Sequence, residues 1–133
     1  MTDRELDALV AEKVFGMTVC DRAFADWPRI VAPDFFPFDN AAGVDGSFRV
    51  PRYASDFGKA WCVVEEMRRR GFLVSVTDDA TEDGDERPCA WWMVRFEKMP
   101  AFPGNAAGEA HAREAPRAIC IAALRALGVE VTT

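Results

Sequence analysis

The chain of 133 residues has few of the side chains from which most metal and catalytic sites are built. It contains one histidine, His111, and four cysteines, none of which lies in a C-x-x-C spacing. A structural zinc site needs about four Cys or His ligands close together, so we expect no metal. The common phosphate-binding, dinucleotide-binding, hydrolase and zinc-protease motifs are missing as well. We therefore expect no cofactor and no enzymatic activity.

Long apolar runs are also missing. No stretch approaches the roughly 18 apolar residues of a membrane helix, and residues 1–5 lack the apolar core of a signal peptide. These two absences predict a cytoplasmic protein without membrane contact. In that compartment the thiols of Cys20, Cys62, Cys89 and Cys120 are expected to be reduced.

Positive charge is scarce relative to negative charge. The chain has 16 Lys and Arg against 22 Asp and Glu, which gives a net charge of −6. Because binding to DNA or RNA needs clustered basic residues, direct nucleic-acid binding is not expected. A protein with a basic surface is a more suitable partner for an acidic chain.

Apolar and aromatic residues, by contrast, are abundant. Half of the residues are hydrophobic, and they include ten Phe and four Trp. A chain of this length and content can bury one core, which predicts a single domain over residues 1–133. Residues 17–54 combine prolines with aromatic residues, so we expect an ordered but irregular segment with short strands near 17–20 and 47–50.

Two helices can be placed from their capping signals. The first starts near Thr2, because Thr2 and Glu5 have the spacing of a capping box. For the second we expect Ser55 as the N-cap residue and Gly71 just after its last turn. The predicted core stripe of this second helix consists of Phe57, Ala60, Trp61, Val64 and Met67.

A third helix follows near the end of the chain. Pro116 fits the first turn of a helix, and from 118 to 127 the only charged residue is Arg125. A helix that is apolar on all sides is normally buried. We therefore expect the following side chains of the second and third helices to lie in the core: Trp61, Val64, Ile121 and Leu124.

Strand composition appears twice between the second and third helices. Residues 72–77 and 90–97 alternate between an apolar and a mixed set of side chains, as the two faces of a strand do. The residues between them, 78–88, are acidic and polar, which predicts a hairpin with a long acidic tip. Residues 100–111 are interpreted as a loop that contains His111. The fold class that follows is α+β with an antiparallel sheet, and the apolar residues on both of its faces predict either helices on each side or a partner on one side.

Three segments resemble the phage ABA-sandwich domain family of small phage and prophage proteins. They are LDALVAEKVFGM at 6–17, YASDFGKAWCVVE at 53–65 and APRAICIAAL at 115–124. The resemblance implies an antiparallel sheet flanked by helices in a three-layer α/β/α sandwich, and a protein that works in the cytoplasm of an infected or lysogenic bacterial host. The motifs are mainly core and capping residues, so the resemblance brings no activity with it.

The acidic tip is the first candidate binding surface. Its carboxylates would suit contact with a protein partner. From the resemblance we expect a phage-encoded, non-enzymatic binding protein that inhibits a host defence complex through this contact. The candidate residues of this surface are Asp79, Glu82, Asp83, Asp85 and Glu86.

A second candidate set offers guanidinium groups and rings of the kind that hold nucleotides. This set consists of Arg49, Arg52, Tyr53, Trp92 and Arg95. The alternative function is thus a protein that sequesters a small nucleotide immune signal. A phage accessory protein of housekeeping type is a further alternative.

Overall fold

The computed structural model describes residues 1–17, 19–20, 29–31, 47–78, 91–100 and 107–132. Its helices are α1 (Asp3–Lys13), α2 (Phe57–Arg69) and α3 (Ala115–Ala126). Its strands are β1 (Val19–Cys20), β2 (Arg29–Val31), β3 (Ser47–Arg49), β4 (Phe72–Asp78), β5 (Trp92–Lys98) and β6 (Ala107–Ala112). Within the described part of the chain, none of the helices is long and apolar enough to cross a membrane.

The strands form two antiparallel sheets. The smaller sheet has the order β1–β2–β3, and β1 and β3 lie at the positions expected near 17–20 and 47–50. The larger sheet has the order β4–β5–β6 and contains the predicted hairpin, with Val76 opposite Val94 and Val94 opposite Ala110. The α+β fold class with an antiparallel sheet packed against helices is therefore confirmed.

Strand β6 corrects one expectation, because residues 100–111 were interpreted as a loop. Its sequence, AGEAHA, is rich in residues of low strand propensity, so no local signal indicates a strand. Its small residues let α3 approach closely. A Cβ atom at Gly108 would lie 2.1 Å from the carbonyl oxygen of Ala122 and 2.3 Å from the amide nitrogen of Ala126. The strand is thus selected by its fit against α3, and His111 lies on it.

One face of the larger sheet is buried by α3, as the alternation of β4 and β5 predicts. Val94, Phe96 and Ala110 on this face have no exposed surface. We call this the inner face and the opposite one the outer face. The outer face carries Leu73 on β4 together with polar and charged side chains, and it remains partly exposed.

Helix α3 lies at the centre of the fold, which confirms that its apolar sequence is buried. It packs against β5 and β6 on one side and against α1 and α2 on others. Ile121 and Leu124 have no exposed surface, as expected. Every residue from 118 to 124 is buried.

The side of helix α2 that faces the core is rotated about the helix axis relative to the predicted stripe. Val64 is buried as expected, but Trp61 is 40% exposed and Phe57 is 54% exposed. The buried side chains are Ala60, Val63, Val64 and Met67. Val63 replaces the two rings in the core because α2 packs on α3 through its smaller side chains. The expectation that Trp61 is a core residue was therefore wrong.

The helix ends follow the capping signals, with one correction. Thr2 and Glu5 form the predicted capping box, in which each side chain accepts a hydrogen bond from the other residue's amide. Gly71 follows α2 with φ +95°, a conformation that favours glycine. The N-cap residue of α2 is Asp56 rather than Ser55, because the Asp56 carboxylate accepts from the Lys59 amide at 3.1 Å.

Two of the four cysteines have described side chains. Cys62 and Cys120 are free thiols, in agreement with the expected reduced state. Cys120 is fully buried in α3, and this burial raises the pKa of its thiol. The side chains of Cys20 and Cys89 lie outside the described residues.

Candidate functional site

A cleft with a volume of about 870 Å³ opens at one end of the larger sheet. It lies where the start of β4, the end of β5 and the start of β6 meet the C-terminal ends of α2 and α3. Its described lining consists of Arg70, Phe72, Lys98, Ala107, Arg125, Ala126, Leu127 and Gly128. Three of these side chains are cationic and none is acidic, although the whole chain is acidic.

Arg125 is held at the cleft by backbone carbonyl groups. Its Nη1 donates to the carbonyl oxygen of Glu109 at 2.8 Å. Its Nε and Nη2 donate to the carbonyl oxygen of Val131 at 3.3 and 2.9 Å. These contacts fix the guanidinium plane between β6 and the segment after α3. A guanidinium carries five N–H groups, more than these three contacts use, so donors remain for a ligand.

Lys98 and Arg70 are held in a similar way at the end of α2. The Lys98 ammonium donates to the carbonyl oxygen of Arg70 and lies 4.9 Å from the centre of the Phe72 ring. The Arg70 guanidinium donates to the carbonyl oxygen of Val14 and to the Glu66 carboxylate, the latter at 3.2 Å. The Arg70 charge is thus partly balanced by Glu66.

The outer face of the sheet holds a second group of charges, which are paired with one another. Arg95 donates to the Glu97 carboxylate at 2.7 Å and to the Glu109 carboxylate at 3.0 Å. The second oxygen of Glu109 lies 3.2 Å from Nε2 of His111. Hydrogen bonds from Arg95 and His111 lower the pKa of Glu109, and those from Arg95 to Glu97 and Glu109 raise the pKa of Arg95.

The four described residues of the predicted nucleotide site do not share one surface. Tyr53 is fully buried and stacks on Phe15 with 5.2 Å between the ring centres. Arg95 and Trp92 project from opposite faces of β5 because they are separated by three positions. Arg52 is exposed in the segment before α2. The side chain of the remaining member, Arg49, lies outside the described residues.

The acidic tip lies outside the described residues. The carboxylates concerned are Asp79, Glu82, Asp83, Asp85 and Glu86. Their proposed role in partner binding stays a prediction.

Sequence reasoning missed the cationic cleft because its members come from separate elements. In the sequence, Arg70 and Arg125 are basic residues near helix ends, where such side chains commonly interact with the helix dipole. Lys98 is the last residue of β5, with no pattern around it. Only the antiparallel arrangement of the sheet brings the three cations to one end of the fold.

One buried carboxylate lies away from the cleft. Asp7 in α1 has no exposed surface and accepts hydrogen bonds from the Ala54 amide at 2.8 Å and from Arg4 at 2.5 Å. Burial raises the pKa of Asp7 to about 6, although the two hydrogen bonds act in the opposite direction. Its contacts join α1 to the segment before α2, which is a structural role.

The exposed side of α2 carries two aromatic rings. Phe57 and Trp61 are stacked, with 6.1 Å between ring centres and 16° between ring planes. The Trp61 indole N–H donates to the Glu65 carboxylate at 3.2 Å. We call Phe57 and Trp61 the aromatic pair.

Comparison with known proteins identifies the family. The phage ABA sandwich domain matches residues 8–124, which is most of the chain. The chain belongs to the phage ABA sandwich family. It is also similar to a phage protein from Bacillus cereus ATCC 14579 known from a crystal structure at 2.0 Å, with a TM-score of 0.65 and 23% sequence identity. That similarity covers 99% of this chain and 93% of the Bacillus protein, and it supports the fold alone. No curated protein matches the chain.

Proposed function

We propose that this phage protein acts by binding, without catalysis, and that it inhibits a host defence complex through protein–protein contact. The observation that carries the proposal is the aromatic pair on α2. Phe57 and Trp61 expose about half of their surface, at 54% and 40%, whereas the core beside them is closed by smaller side chains. Large exposed aromatic side chains are the residues that most often anchor protein interfaces.

The geometry of the aromatic pair suits a binding role. Stacking between Phe57 and Trp61 and the Trp61–Glu65 hydrogen bond restrict both rings before any partner arrives. Restricted side chains lose less conformational entropy on binding, so more of the contact energy appears as affinity. The acidic composition and the family membership support a phage protein that meets a host protein with a basic surface.

Phage infection provides the direct test of this proposal. Bacteria that carry individual defence systems would express the full chain, and the efficiency of phage plating would be measured. We expect the wild-type chain to restore plating against at least one system. The double variant Phe57→Ser, Trp61→Ser should lose that effect while its circular dichroism spectrum remains unchanged, because both side chains lie outside the core.

A matched control is available on the outer face of the sheet. Leu73 is 52% exposed, so Leu73→Ser removes a comparable exposed apolar side chain elsewhere on the surface. This variant should restore plating as well as the wild type does. A folded double variant with full activity would exclude the aromatic pair as the contact, and a wild-type chain inactive against every system would exclude the defence role. Native mass spectrometry of chain purified from infected cells would then show which protein or nucleotide accompanies it.

A further inference from the structure

We infer that the cleft lined by Arg70, Lys98 and Arg125 is a binding site for a small molecule that carries phosphate groups. The inference is independent of the proposed protein contact, which uses the other end of α2. Phe57 begins the helix and Arg70 caps its end, so the two surfaces are about 20 Å apart along the helix axis. The two proposals can therefore fail separately.

The composition of the lining is the first argument. The chain as a whole has an excess of acidic residues, yet three cations and no carboxylate line the described part of this cleft. Its volume of about 870 Å³ is ample for a small ligand. Cations gathered in a concave surface strengthen one another's attraction for an anion, because the low-dielectric walls focus their field.

The state of the cations is the second argument. The hydrogen bonds of Lys98 and Arg125 within the described structure go to carbonyl oxygens, which carry no net charge. The two groups are thus positioned by the fold while their full positive charges stay unbalanced. By comparison, the Arg95 guanidinium contacts two carboxylates and has little charge left for a ligand.

The position of the helix ends explains why more than one cation is needed. The cleft faces the C-terminal ends of α2 and α3, where backbone carbonyl groups carry partial negative charge and repel an anion. One of these carbonyl groups, that of the C-cap residue Arg70 of α2, already accepts a hydrogen bond from the Lys98 ammonium. Phosphate groups suit the cations of the cleft, because they carry enough charge to engage several cations and accept hydrogen bonds from guanidinium N–H groups.

Titration of the full chain with three probes tests the inference. The probes are inorganic phosphate, pyrophosphate and adenosine diphosphate, followed by isothermal calorimetry and by amide chemical shifts. We expect saturable binding of pyrophosphate or adenosine diphosphate, with the largest shifts near Gly71 and Gly128 at the cleft. Tighter binding of adenosine diphosphate than of pyrophosphate would identify a nucleotide as the ligand, and equal binding would identify the phosphate groups alone.

Variants of matched charge distinguish a defined binding site from attraction of the anion by net charge alone. The double variant Lys98→Gln, Arg125→Gln should weaken binding by at least about tenfold, because charge-assisted contacts to phosphate are lost. Lys98→Arg keeps the charge and should retain binding within a few-fold. The control double variant Arg68→Gln, Arg113→Gln removes the same charge from exposed positions outside the described lining.

Two results would overturn the inference. The first is an absence of saturable binding for all three probes at millimolar concentration. The second is an equal loss of affinity in the control double variant, which would show that only net charge matters. Amide spectra of each variant establish that the fold is retained, and if the Lys98/Arg125 double variant does not fold, Lys98→Gln alone replaces it, with Arg68→Gln as its control.

Discussion

The two faces of the β4–β5–β6 sheet are stabilised in different ways. On the inner face, Val94, Phe96 and Ala110 have no exposed surface and pack against α3. On the outer face, the Arg95 and Glu109 side chains are 43% and 41% exposed and are joined by an ion pair. Burial of apolar surface contributes far more per residue than exposed ion pairs do. The same three strands therefore carry most of their stabilising contacts on the inner face, and substitutions on the outer face should affect stability less.

The largest effect is expected at Gly108 on the inner face. Gly108→Ala would place a Cβ atom 2.1 Å from the carbonyl oxygen of Ala122, so β6 and α3 would have to separate. Overpacking against backbone atoms should lower the free energy of unfolding by more than about 3 kcal/mol. Chemical denaturation followed by circular dichroism measures this loss.

Gly58 provides the control for that prediction. In α2, a Cβ at Gly58 would meet only the Asp56 carboxylate at 3.3 Å, and a side-chain end can move aside. Gly58→Ala should therefore change the free energy of unfolding by less than about 1 kcal/mol in either direction. If Gly108→Ala were equally mild, the close approach between β6 and α3 would be wrong.

The pH dependence of stability extends the comparison from the sheet to buried and exposed carboxylates. Because burial raises the pKa of Asp7 to about 6, the folded state binds a proton more tightly than the unfolded chain does. The contribution of Asp7 to stability is therefore fully present below its unfolded pKa, near 3.8, and is lost as the pH rises through 6. The loss is on the order of 3 kcal/mol.

Asp7→Asn tests this sign, because the amide keeps an oxygen for the Ala54 N–H but does not titrate. The difference in free energy of unfolding between wild type and Asp7→Asn should fall as the pH rises from 4 to 7. For Glu109 the sign is opposite, since its pKa is lowered, and Glu109→Gln should remove a small stabilisation that is present above its ordinary pKa and lost in acid. If the difference between wild type and Asp7→Asn rose with pH instead, the effect of Arg4 on the pKa of Asp7 would be larger than the effect of burial.

The smallest effect is expected at Arg95 on the outer face. Arg95→Gln removes two ion pairs at a partly exposed position, so the free energy of unfolding should fall only slightly. The loss should shrink further at high salt, which screens exposed charges. Arg113→Gln, at an exposed position before α3, is the control. A loss as large as that at Gly108 would abolish the distinction between the two faces.

Much of the fold could be predicted from local patterns. The capping box at Thr2, the glycine at 71 and the apolar run of α3 are interactions between residues close in sequence, and the structure confirms them. The alternation of β4 and β5 identified the inner face correctly. In contrast, β6 and the orientation of α2 depend on contacts with α3 that no local pattern records.

The sequence by itself determined the family, the α+β class and the burial of α3, because these depend on local spacing and on the amount of apolar surface. The tertiary structure alone decided which residues meet at the cleft. Arg70, Lys98 and Arg125 are separated by 28 and 27 positions and belong to different elements. Such side chains come together only when the antiparallel sheet sets one end of its strands against the ends of α2 and α3. The same packing left Trp61 on the surface, because α2 turns the smaller Val63, which has no exposed surface, toward the core.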